Sequence, residues 1–386
     1  FAGEVLAVGG ELKNTFCVGK NDLFYPSPYV GDMEDIRTVN ALKETITRME
    51  TLLEVRPTVV ACDLHPRYNT RMVAEEMGLP VVYVQHHYAH IVSCMAENDC
   101  AGPVLGLSMD GTGYGTDQTI WGGELLLADY HGFERLGHIS PFLQVGGDKS
   151  AKEGWRIAVS MLYGMCGDVD ETVRYAIELG LCDERTCRIQ VQMADKHLNA
   201  VTSTSAGRLF DAVSAVLGIR RMSTYESEAS VALQFTAEAA RAKAEKRFCG
   251  EIPAASGNAA AGPAAADNQA DSTILMDTDV LFERIVRLAL DGIDVGEAAW
   301  YFHAALAHQA AEACVEARAA TGVSTVALSG GVFQNRLFLE LVSGELSSRG
   351  FDLLVHSLIP PNDGGISLGQ AVVAMAQANG SVHRPG

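Results

Sequence analysis

The chain has 386 residues, of which 48% are hydrophobic, so it is long enough to bury a large core and predicts two domains. Its formal net charge is −19. Because binding to a nucleic-acid backbone needs a surplus of Lys and Arg, this charge argues against a nucleic-acid partner.

Nine cysteines are spread along the chain, and no two of them form a Cys-x-x-Cys pair, which argues against a zinc finger. We interpret them as reduced thiols of a cytoplasmic protein. No apolar run reaches about 18 residues, so no membrane span is predicted. The chain begins Phe1-Ala2-Gly3 without an initiator Met or a signal-peptide pattern, and we interpret it as a fragment of a longer protein.

Strands and helices alternate in the first part of the chain. Strands are expected at residues 5–10, 11–17, 58–62 and 81–84, the last two of them buried, and helices at residues 36–53 and 72–77. This alternation is typical of parallel βαβ units. Polar residues follow two of the strands. Lys13 either contacts a phosphate or is a solvated lysine. Asp63 and His65 either support a ligand site or hold the turn before Pro66, and the second role is the commoner one.

His86 and His90 follow the strand at residues 81–84 and are four residues apart. A helical turn at this position places both imidazoles on one face, within reach of one metal ion. Taken alone, such a pair is more often two surface or capping histidines than a ligand pair.

Asp110 follows a predicted strand at residues 104–109 and opens a predicted turn at residues 110–115. Gly111 and Gly113 in this turn let the backbone approach an anion closely, although a glycine turn alone is common. Because ligands gather outside the carboxyl ends of strands in α/β sheets, the histidine pair and Asp110 together predict a metal and phosphate site.

The middle of the chain predicts a hairpin around residues 129–132 and then a glycine turn leading into a helix. Lys149 and Arg156 there favour an anion at the helix start, with an ordinary capped helix as the alternative. Helices are expected over most of residues 169–198 and again from residue 205. In the latter, Gly207 and Asp211 are suited to a ligand and its ribose hydroxyls, or the segment is an ordinary amphipathic helix.

The last third of the chain contains a low-complexity segment at residues 252–271, predicted to be a mobile and dispensable surface insertion. Helices at 278–290 and 295–320 lead to a strand at 325–329. Gly330, Gly331 and Asn335 follow this strand and predict a nucleotide cradle, although many strand-to-helix turns carry a Gly-Gly pair without binding a nucleotide. After a final strand at 353–356, Asp363 at a glycine turn either completes the metal site or caps a helix.

Several of these segments resemble the transferase portion of HypF-type hydrogenase-maturation carbamoyltransferases. The resemblance is carried by Gln-His-His-Tyr-Ala-His at 85–90, Asp-Gly-Thr-Gly-Tyr-Gly at 110–115 and Ile-Trp-Gly-Gly-Glu at 120–124. It extends to Gly-Gly-Asp-Lys at 146–149, Gly-Arg-Leu-Phe-Asp-Ala at 207–212 and Ser-Gly-Gly-Val at 329–332. Gly154 and Ser227 depart from the family pattern, which has proline and glycine at these places.

The resemblance implies an α/β fold of two actin-like (ASKHA) lobes with a ligand cleft between them, over residues 1–103 and 104–386. The last helix is expected to pack back on the first lobe. The implied metal ligands are His86, His90, Asp110 and Asp363. The implied contacts to phosphate or carbamoyl are Lys149 and Arg156, and the implied nucleotide contacts are Gly111, Gly113, Gly207, Asp211, Glu228, Gly330, Gly331 and Asn335.

The implied reaction moves a carbamoyl group from ATP-derived carbamoyl adenylate to the C-terminal cysteine of a HypE-type maturation protein, with AMP as product. This step belongs to the synthesis of the cyanide ligands of [NiFe]-hydrogenase. The implied metal is Fe or Zn, with Mg accompanying the nucleotide as a further option. The family's upstream acylphosphatase, zinc-finger and adenylate-forming domains have no counterpart in this sequence.

Three other functions share these residues. An O-carbamoyltransferase acting on a small alcohol would use the same metal and nucleotide groups. A non-catalytic ATP-binding module would bind nucleotide without acyl transfer. A threonylcarbamoyl transferase acting on tRNA is disfavoured by the acidity of the chain.

Overall fold

A computed structural model describes residues 1–251 and 273–381, so the predicted insertion at 252–271 lies outside the described residues. The strands are β1 (Glu4–Ala7), β2 (Cys17–Lys20), β3 (Leu23–Pro26), β4 (Val59–Asp63), β5 (Val81–Val84), β6 (Val104–Tyr114), β7 (Ile120–Ala128), β8 (Phe133–Ile139), β9 (Phe142–Val145), β10 (Ala200–Ser203), β11 (Ile274–Met276), β12 (Thr325–Ser329) and β13 (Asp352–Leu354). The helices are α1 (Ile36–Leu53), α2 (Asn69–Glu76), α3 (His86–Glu97), α4 (Gly154–Cys166), α5 (Val169–Glu178), α6 (Glu184–Asp195), α7 (Ala206–Val216), α8 (Glu228–Arg247), α9 (Thr278–Leu290), α10 (Val295–Thr321), α11 (Arg336–Ser348) and α12 (Ile366–Ser381).

The chain folds into two compact units. The first comprises Phe1–Arg135, Val323–Gln334 and Asp352–Gly386, and the second comprises Leu136–Gly322 and Asn335–Phe351, as far as these ranges are described. The chain therefore leaves the first unit and returns to it twice. The lobe boundary between residues 103 and 104 stays a prediction.

The first unit contains a five-stranded sheet in the order β3-β2-β1-β4-β5. Strands β1, β4 and β5 are parallel, which confirms the predicted βαβ units, while β2 and β3 form antiparallel pairs beside β1. The predicted strand at 81–84 is confirmed as β5, but its predicted burial is wrong, because β5 is an edge strand whose Tyr83 is 41% exposed.

The predicted strand at residues 11–17 is also wrong, because the second strand begins only at Cys17. Asn14 explains the difference. Its Nδ2 donates hydrogen bonds to the carbonyl oxygens of Val8 and Gly10, which closes residues 8–14 into a compact loop. Lys13 in this loop has a positive φ of 48°, a conformation outside any strand.

The first unit also contains the ladder β7-β6-β12-β13, in which β6 is antiparallel to β7 and parallel to β12. The predicted turn at 110–115 is wrong, because β6 continues through Asp110 to Tyr114. Its register with β7 shifts between Met109 and Gly113, so this stretch is a bulged strand. Beyond the bulge, Gly113 and Tyr114 pair with Trp121 and Ile120 of β7, so pairing with a neighbouring strand holds the end of this segment extended where the local sequence favours a turn.

Helices α3 and α12 pack against each other in the core of the first unit, and α12 also packs on β1 and β4. Gly369 lets the two helices approach closely, since a Cβ at this position would lie 1.9 Å from the Ala89 carbonyl oxygen. Gly106 serves the same purpose for α3 and β6, since its Cβ would lie 2.5 Å from Ile91 Cγ1. The spacing of the elements that carry His86, Asp110 and Asp363 thus depends on two glycines.

The second unit is mainly helical. The predicted helices over 169–198 are confirmed as α5 and α6, and α9 has the predicted bounds. Its strands β9 and β10 pair antiparallel, and β11 pairs with Gly137–Ile139 of β8. Its core includes Phe210, whose ring contacts Phe302 and Phe338 edge to face at centroid distances of 4.8 and 5.7 Å. Across residues 1–251 and 273–381, no helix is both long enough and apolar enough to cross a membrane.

The close approach of α3 and α12 predicts opposite effects for two glycines of α12. Gly369→Ala should lower the free energy of unfolding by about 1–3 kcal/mol, because the methyl group collides with the backbone of α3. Gly380→Ala is the control, since nothing lies within 4 Å of a Cβ at that position, and it should be neutral or slightly stabilising. Chemical denaturation of both variants measures the difference, and equal stability of the two would contradict this packing.

Candidate metal centre

Three elements of the first unit carry the four predicted metal ligands. His86 and His90 lie in the first turns of α3, Asp110 lies in β6, and Asp363 opens a short 3₁₀ helix, Asp363–Gly365, that leads into α12. Gln85 fixes the start of α3, because its side chain accepts a hydrogen bond from the Tyr88 backbone N–H at 2.8 Å. Asp363 is not the cap of its helix, since Asn362 fills that position by accepting from the Gly364 N–H.

The four side chains converge. His86 Nε2 lies 3.2 Å from Asp110 Oδ2 and 3.5 Å from Asp363 Oδ1. His90 Nε2 lies 3.3 and 3.7 Å from the same two oxygens. One ligand atom from each residue can be chosen such that all lie within 4.8 Å of one another. The two histidines and Asp110 are buried, and Asp363 is partly exposed.

Two neighbours orient these ligands. Asp63 Oδ2 lies 2.7 Å from His86 Nδ1, so the imidazole donates its Nδ1 hydrogen there and turns Nε2 toward the centre. Asp63 Oδ1 accepts a hydrogen bond from the His65 backbone N–H. Asp63 therefore has both of the roles that the sequence left open, since it supports the candidate ligand His86 and also holds the turn before Pro66. Asp110 Oδ1 accepts from the Gly331 N–H at 3.0 Å, which leaves Oδ2 facing the histidines.

The pKa shifts of His86 and Asp110 reflect the attraction between imidazoles and carboxylates in a buried site. Burial alone would lower the pKa of His86. The carboxylates of Asp363, Asp110 and Asp63 have the opposite and larger effect, so the resulting pKa is well above the usual range. Burial raises the pKa of Asp110, but His90 and His86 outweigh it and hold the net pKa well below the usual range. Asp110 therefore remains a carboxylate, and it requires positive charge beside it.

The donor set fits a metal cation. His90 Nε2 is buried and makes no hydrogen bond within the described chain, although it faces two carboxylate oxygens. Two imidazole nitrogens and two carboxylate oxygens are ligands that Zn and Fe accept. A cation at the centre would give the orphaned nitrogen a partner and would compensate the charge of the carboxylates.

A hydrogen-bond chain supports the loop that leads to Asp363. Glu97, at the end of α3, accepts from the backbone N–H groups of Ser357 and Leu358 and from His356 Nδ1 at 2.8 Å. His356 Nε2 lies 2.9 Å from Ser329 Oγ at the end of β12. The helix that supplies the histidines therefore also anchors the segment before Asp363. Sequence reasoning missed Glu97 and His356, and no local motif marks them.

The loop at residues 9–15 braces the other side of Asp363. Thr15 Oγ donates to the Gly364 carbonyl oxygen at 2.7 Å, and Gly9 N–H donates to Gln370 Oε1 at 2.9 Å. Lys13 belongs to this loop, and its own N–H donates to Asp32 Oδ1. The Lys13 contact with a phosphate stays a prediction.

The predicted nucleotide-binding glycines of this unit are close to the metal ligands, and the structure gives most of them packing roles. A Cβ at Gly113 would lie 2.4 Å from His87 Cε1, and one at Gly330, whose φ is 102°, would lie 2.2 Å from the Met109 carbonyl oxygen. Gly331 approaches Asp110, with a Cβ to Oδ1 distance of 3.0 Å. Gly111 has nothing within 4 Å of a Cβ and borders open space.

Lys149 and Arg156 lie in the second unit. Lys149 is exposed in a 3₁₀ turn, Gly147–Ala151. Arg156 is engaged, because its Nε donates to Glu153 at 2.5 Å and its Nη1 donates to Gln190 at 2.9 Å. Since a guanidinium has five N–H donors, Arg156 retains further hydrogens for a ligand.

The remaining predicted nucleotide contacts of the second unit have protein partners. Asp211 is buried and accepts from Arg208 Nε at 2.8 Å, and burial raises its pKa. Glu228 accepts from the Thr224 N–H and hydroxyl. Asn335 caps α11 and lies 2.9 Å from His303 Nε2, while Gly207 lies in the first turn of α7. Their nucleotide contacts stay predictions.

Comparison with known proteins identifies the family. Residues 2–97 match the family described as HypF Kae1-like domain, and residues 106–370 match the family described as carbamoyltransferase, Kae1-like domain, second subdomain. The chain belongs to the HypF carbamoyltransferase family. Over 97% of its length it is 36% identical to carbamoyltransferase HypF2 of Cupriavidus necator, of which it covers 47%. It is 34% identical to a carbamoyltransferase HypF homolog of the same organism, of which it covers 92%.

Solved HypF structures have the same fold. Full-length HypF in its phosphate- and nucleotide-bound form matches with a TM-score of 0.85 and 32% identity, over 98% of this chain and 56% of that one. HypF of T. kodakarensis matches with a TM-score of 0.83 and 30% identity, over 98% and 49%. The predicted α/β fold class is thereby confirmed. The chain spans about half the length of these HypF proteins and of HypF2.

The Asp63 contact in this HypF-family chain predicts a weaker metal site when its charge is removed. Asp63→Asn should reduce metal affinity by about 10- to 100-fold, because an amide accepts the His86 hydrogen less strongly and makes the imidazole a poorer ligand. Asp352→Asn, an exposed carboxylate of the same unit, should have no effect. Competition with a metallochromic chelator measures both, and unchanged affinity in Asp63→Asn would contradict the role given to this carboxylate.

The Glu97 contacts predict a stability difference that depends on pH. Burial alone would raise the pKa of Glu97. Hydrogen bonds from Leu358, Ser357 and His356 have the opposite and larger effect, and the resulting pKa is about 2. Because this lies below the usual value of about 4.3, the charged group stabilises the fold above that pH and loses its contribution as pH falls toward 2. Glu97→Gln should therefore cost about 1–3 kcal/mol of unfolding free energy at neutral pH, and progressively less below about pH 4.3.

Urea denaturation at several pH values measures this difference between wild type and Glu97→Gln. The control is Glu44→Gln, which removes an exposed carboxylate paired with Arg48, and it should change stability little at any pH. A Glu97→Gln deficit that stayed constant down to pH 2 would rule out the charge as its source.

Proposed function

We propose that this chain transfers a carbamoyl group from carbamoyl adenylate to the C-terminal cysteine of a HypE-type partner, with release of AMP. The observation that carries the proposal is the convergence of three buried side chains, His86, His90 and Asp110, with the partly exposed Asp363 in a chain of the HypF family. The C-terminal cysteine acceptor and the cyanide-ligand pathway are the expectations taken from the family.

His86, His90, Asp110 and Asp363 would hold the metal ion. When bound, such an ion polarises a phosphoryl or acyl oxygen and stabilises the negative charge that develops on a departing phosphate. The protein contributes the orientation. Asp63 fixes the tautomer of His86, Gly331 fixes the carboxylate of Asp110, and the glycines beside α3 hold the backbones at their short spacing.

Contacts to the nucleotide belong to the same proposal. Lys149 and Arg156 would bind the phosphate or carbamoyl group, and Gly207, Asp211, Glu228 and Asn335 would bind the nucleoside. The exposure of Lys149 and the remaining hydrogens of Arg156 support these roles. The salt bridge between Arg208 and Asp211 argues that Asp211 would bind a ribose with its uncommitted oxygen only.

Supply of the carbamoyl adenylate is proposed to come from the adenylate-forming domain of a full-length HypF-type protein. The chain alone should accept preformed carbamoyl adenylate and should not make it from carbamoyl phosphate. Acceptor identity separates the alternatives. A peptide ending in cysteine, the same peptide ending in serine, and a small alcohol distinguish thiol transfer from O-carbamoylation. Nucleotide binding without any transfer would indicate the non-catalytic module.

Removal of single metal ligands tests the proposal. His86→Ala and Asp363→Ala should each lower carbamoyl transfer by at least about 100-fold, because the site loses a ligand and with it the stabilisation of the leaving phosphate. Release of AMP and mass spectrometry of the cysteine peptide measure the transfer, and elemental analysis of each purified variant measures its metal content.

His131→Ala provides the control for these variants, since His131 is exposed at the tip of the hairpin between β7 and β8. It should transfer at the wild-type rate and retain the metal. Wild-type rates in both His86→Ala and Asp363→Ala would disprove the metal role and the transfer mechanism built on it.

A further inference from the structure

The Arg156 guanidinium in the second unit is held by neighbouring groups on several sides. Its Nε donates to Glu153 Oε2 at 2.5 Å, and its Nη1 donates to Gln190 Oε1 at 2.9 Å. Its Cζ lies 4.5 Å from the centroid of the Trp155 ring. Gly146 leaves room for the stem of the side chain, since a Cβ there would lie 3.0 Å from Arg156 Cδ. The side chain is nevertheless 20% exposed, so part of it reaches solvent.

Gln190 is the neutral partner of this guanidinium, and it is buried on α6. Its Nε2 donates to the carbonyl oxygen of Val145, at the end of β9, at 3.3 Å and to the carbonyl oxygen of Arg156 at 3.4 Å. Because the amide nitrogen must face these two carbonyls, the amide has one favourable orientation. In this orientation Oε1 faces the guanidinium, so one side chain joins α4, α6 and β9.

The position of Gln190 is otherwise apolar in character. The other buried residues of α6 are Cys187, Val191 and Ala194. A buried amide is costly unless its polar atoms have partners, and packing alone would accept an apolar residue here. The feature that an apolar residue would not supply is an acceptor for Arg156 Nη1.

The charge of the two partners of Arg156 differs, and this difference suits an anion site. Glu153 already compensates part of the positive charge of the guanidinium, and a second carboxylate would oppose the binding of a phosphate. The amide of Gln190 fixes Nη1 without adding negative charge. No described residue accepts a hydrogen bond from Nη2 of Arg156, so this group has its hydrogens available.

We propose that Gln190 is a positioning residue for Arg156, and that it fixes the guanidinium so that the remaining hydrogens donate to a phosphate oxygen of the nucleotide. This inference deepens the proposed function and rests on it, since the proposed function gives Arg156 the contact with the phosphate or carbamoyl group. A guanidinium that is ordered before the ligand arrives loses little rotational freedom on binding.

AMP, the proposed product, is the probe, titrated calorimetrically into the 386-residue protein. Gln190→Met keeps an unbranched side chain of similar length and removes the acceptor. It should bind AMP about three- to tenfold more weakly than wild type, because the guanidinium must then be ordered during binding. Gln192→Met is the matched control, since it makes the same change at an exposed position of the same helix, and its AMP affinity should equal that of wild type.

A double-mutant cycle with Arg156→Met separates positioning from a purely structural role. In the Arg156→Met background no guanidinium remains to be held, so adding Gln190→Met should change the AMP affinity by less than about twofold. A purely structural role of Gln190 would lower the affinity by the same factor in both backgrounds. That result would overturn the proposal, and so would equal AMP affinity of Gln190→Met and wild type.

NMR of the isotope-labelled wild type adds a measurement that does not depend on the folding of the Gln190 variant. Without AMP, the Arg156 guanidinium should rotate slowly about its Cζ–Nε bond, because Nε and Nη1 both donate to fixed acceptors. Rapid rotation would overturn the positioning role. Wild-type AMP affinity in Arg156→Met would overturn the phosphate contact of the proposed function together with the role of Gln190. Weak binding in Arg156→Met without any effect of Gln190→Met would overturn the role of Gln190 alone.

Discussion

The first unit depends on one electrostatic constraint, the burial of carboxylates beside two imidazoles. A buried carboxylate is costly unless positive charge and hydrogen bonds compensate it. Asp110 is compensated by His86, His90 and the Gly331 N–H, and Asp63 is compensated by His86 and the His65 N–H. Three polypeptide segments that are remote in sequence must therefore meet at fixed distances, and the surrounding packing serves that requirement.

The packing meets this requirement mainly with glycines. Gly106 lets β6 contact α3, Gly369 lets α12 contact α3, and Gly330 lets the turn after β12 contact β6. At each of these positions a Cβ would lie closer than 2.6 Å to a neighbouring atom, so any larger residue would move a ligand away from its partners. Rigid positioning of this kind is what metal binding and charge stabilisation require, because a ligand displaced by an ångström loses much of its effect.

Several residues in the motifs that resemble the family have structural roles in this chain that are distinct from ligand contact. Gly331 donates to Asp110, and Gly113 accommodates His87. A motif predicted to bind a nucleotide can therefore also shape the candidate metal centre. The proposed nucleotide contacts of the second unit differ from these glycines, because the side chains of Arg156, Asp211 and Glu228 already form hydrogen bonds with other residues of the protein. Binding a ligand there would use their remaining donors and acceptors or exchange those partners.

The sequence alone determined the features that depend on local chemistry. The pairing of His86 and His90 follows from the period of a helix, the bounds of α1 follow from its apolar stripe, and the parallel βαβ order follows from alternating elements. The motifs pointed to the family, and with it to Asp110 and Asp363. Only the tertiary structure decided the rest. Asp63 orients His86, Glu97 anchors the loop before Asp363, and residues 110–114 form a bulged strand. Each of these features depends on partners that are distant in the chain, and the local sequence does not reveal such partners.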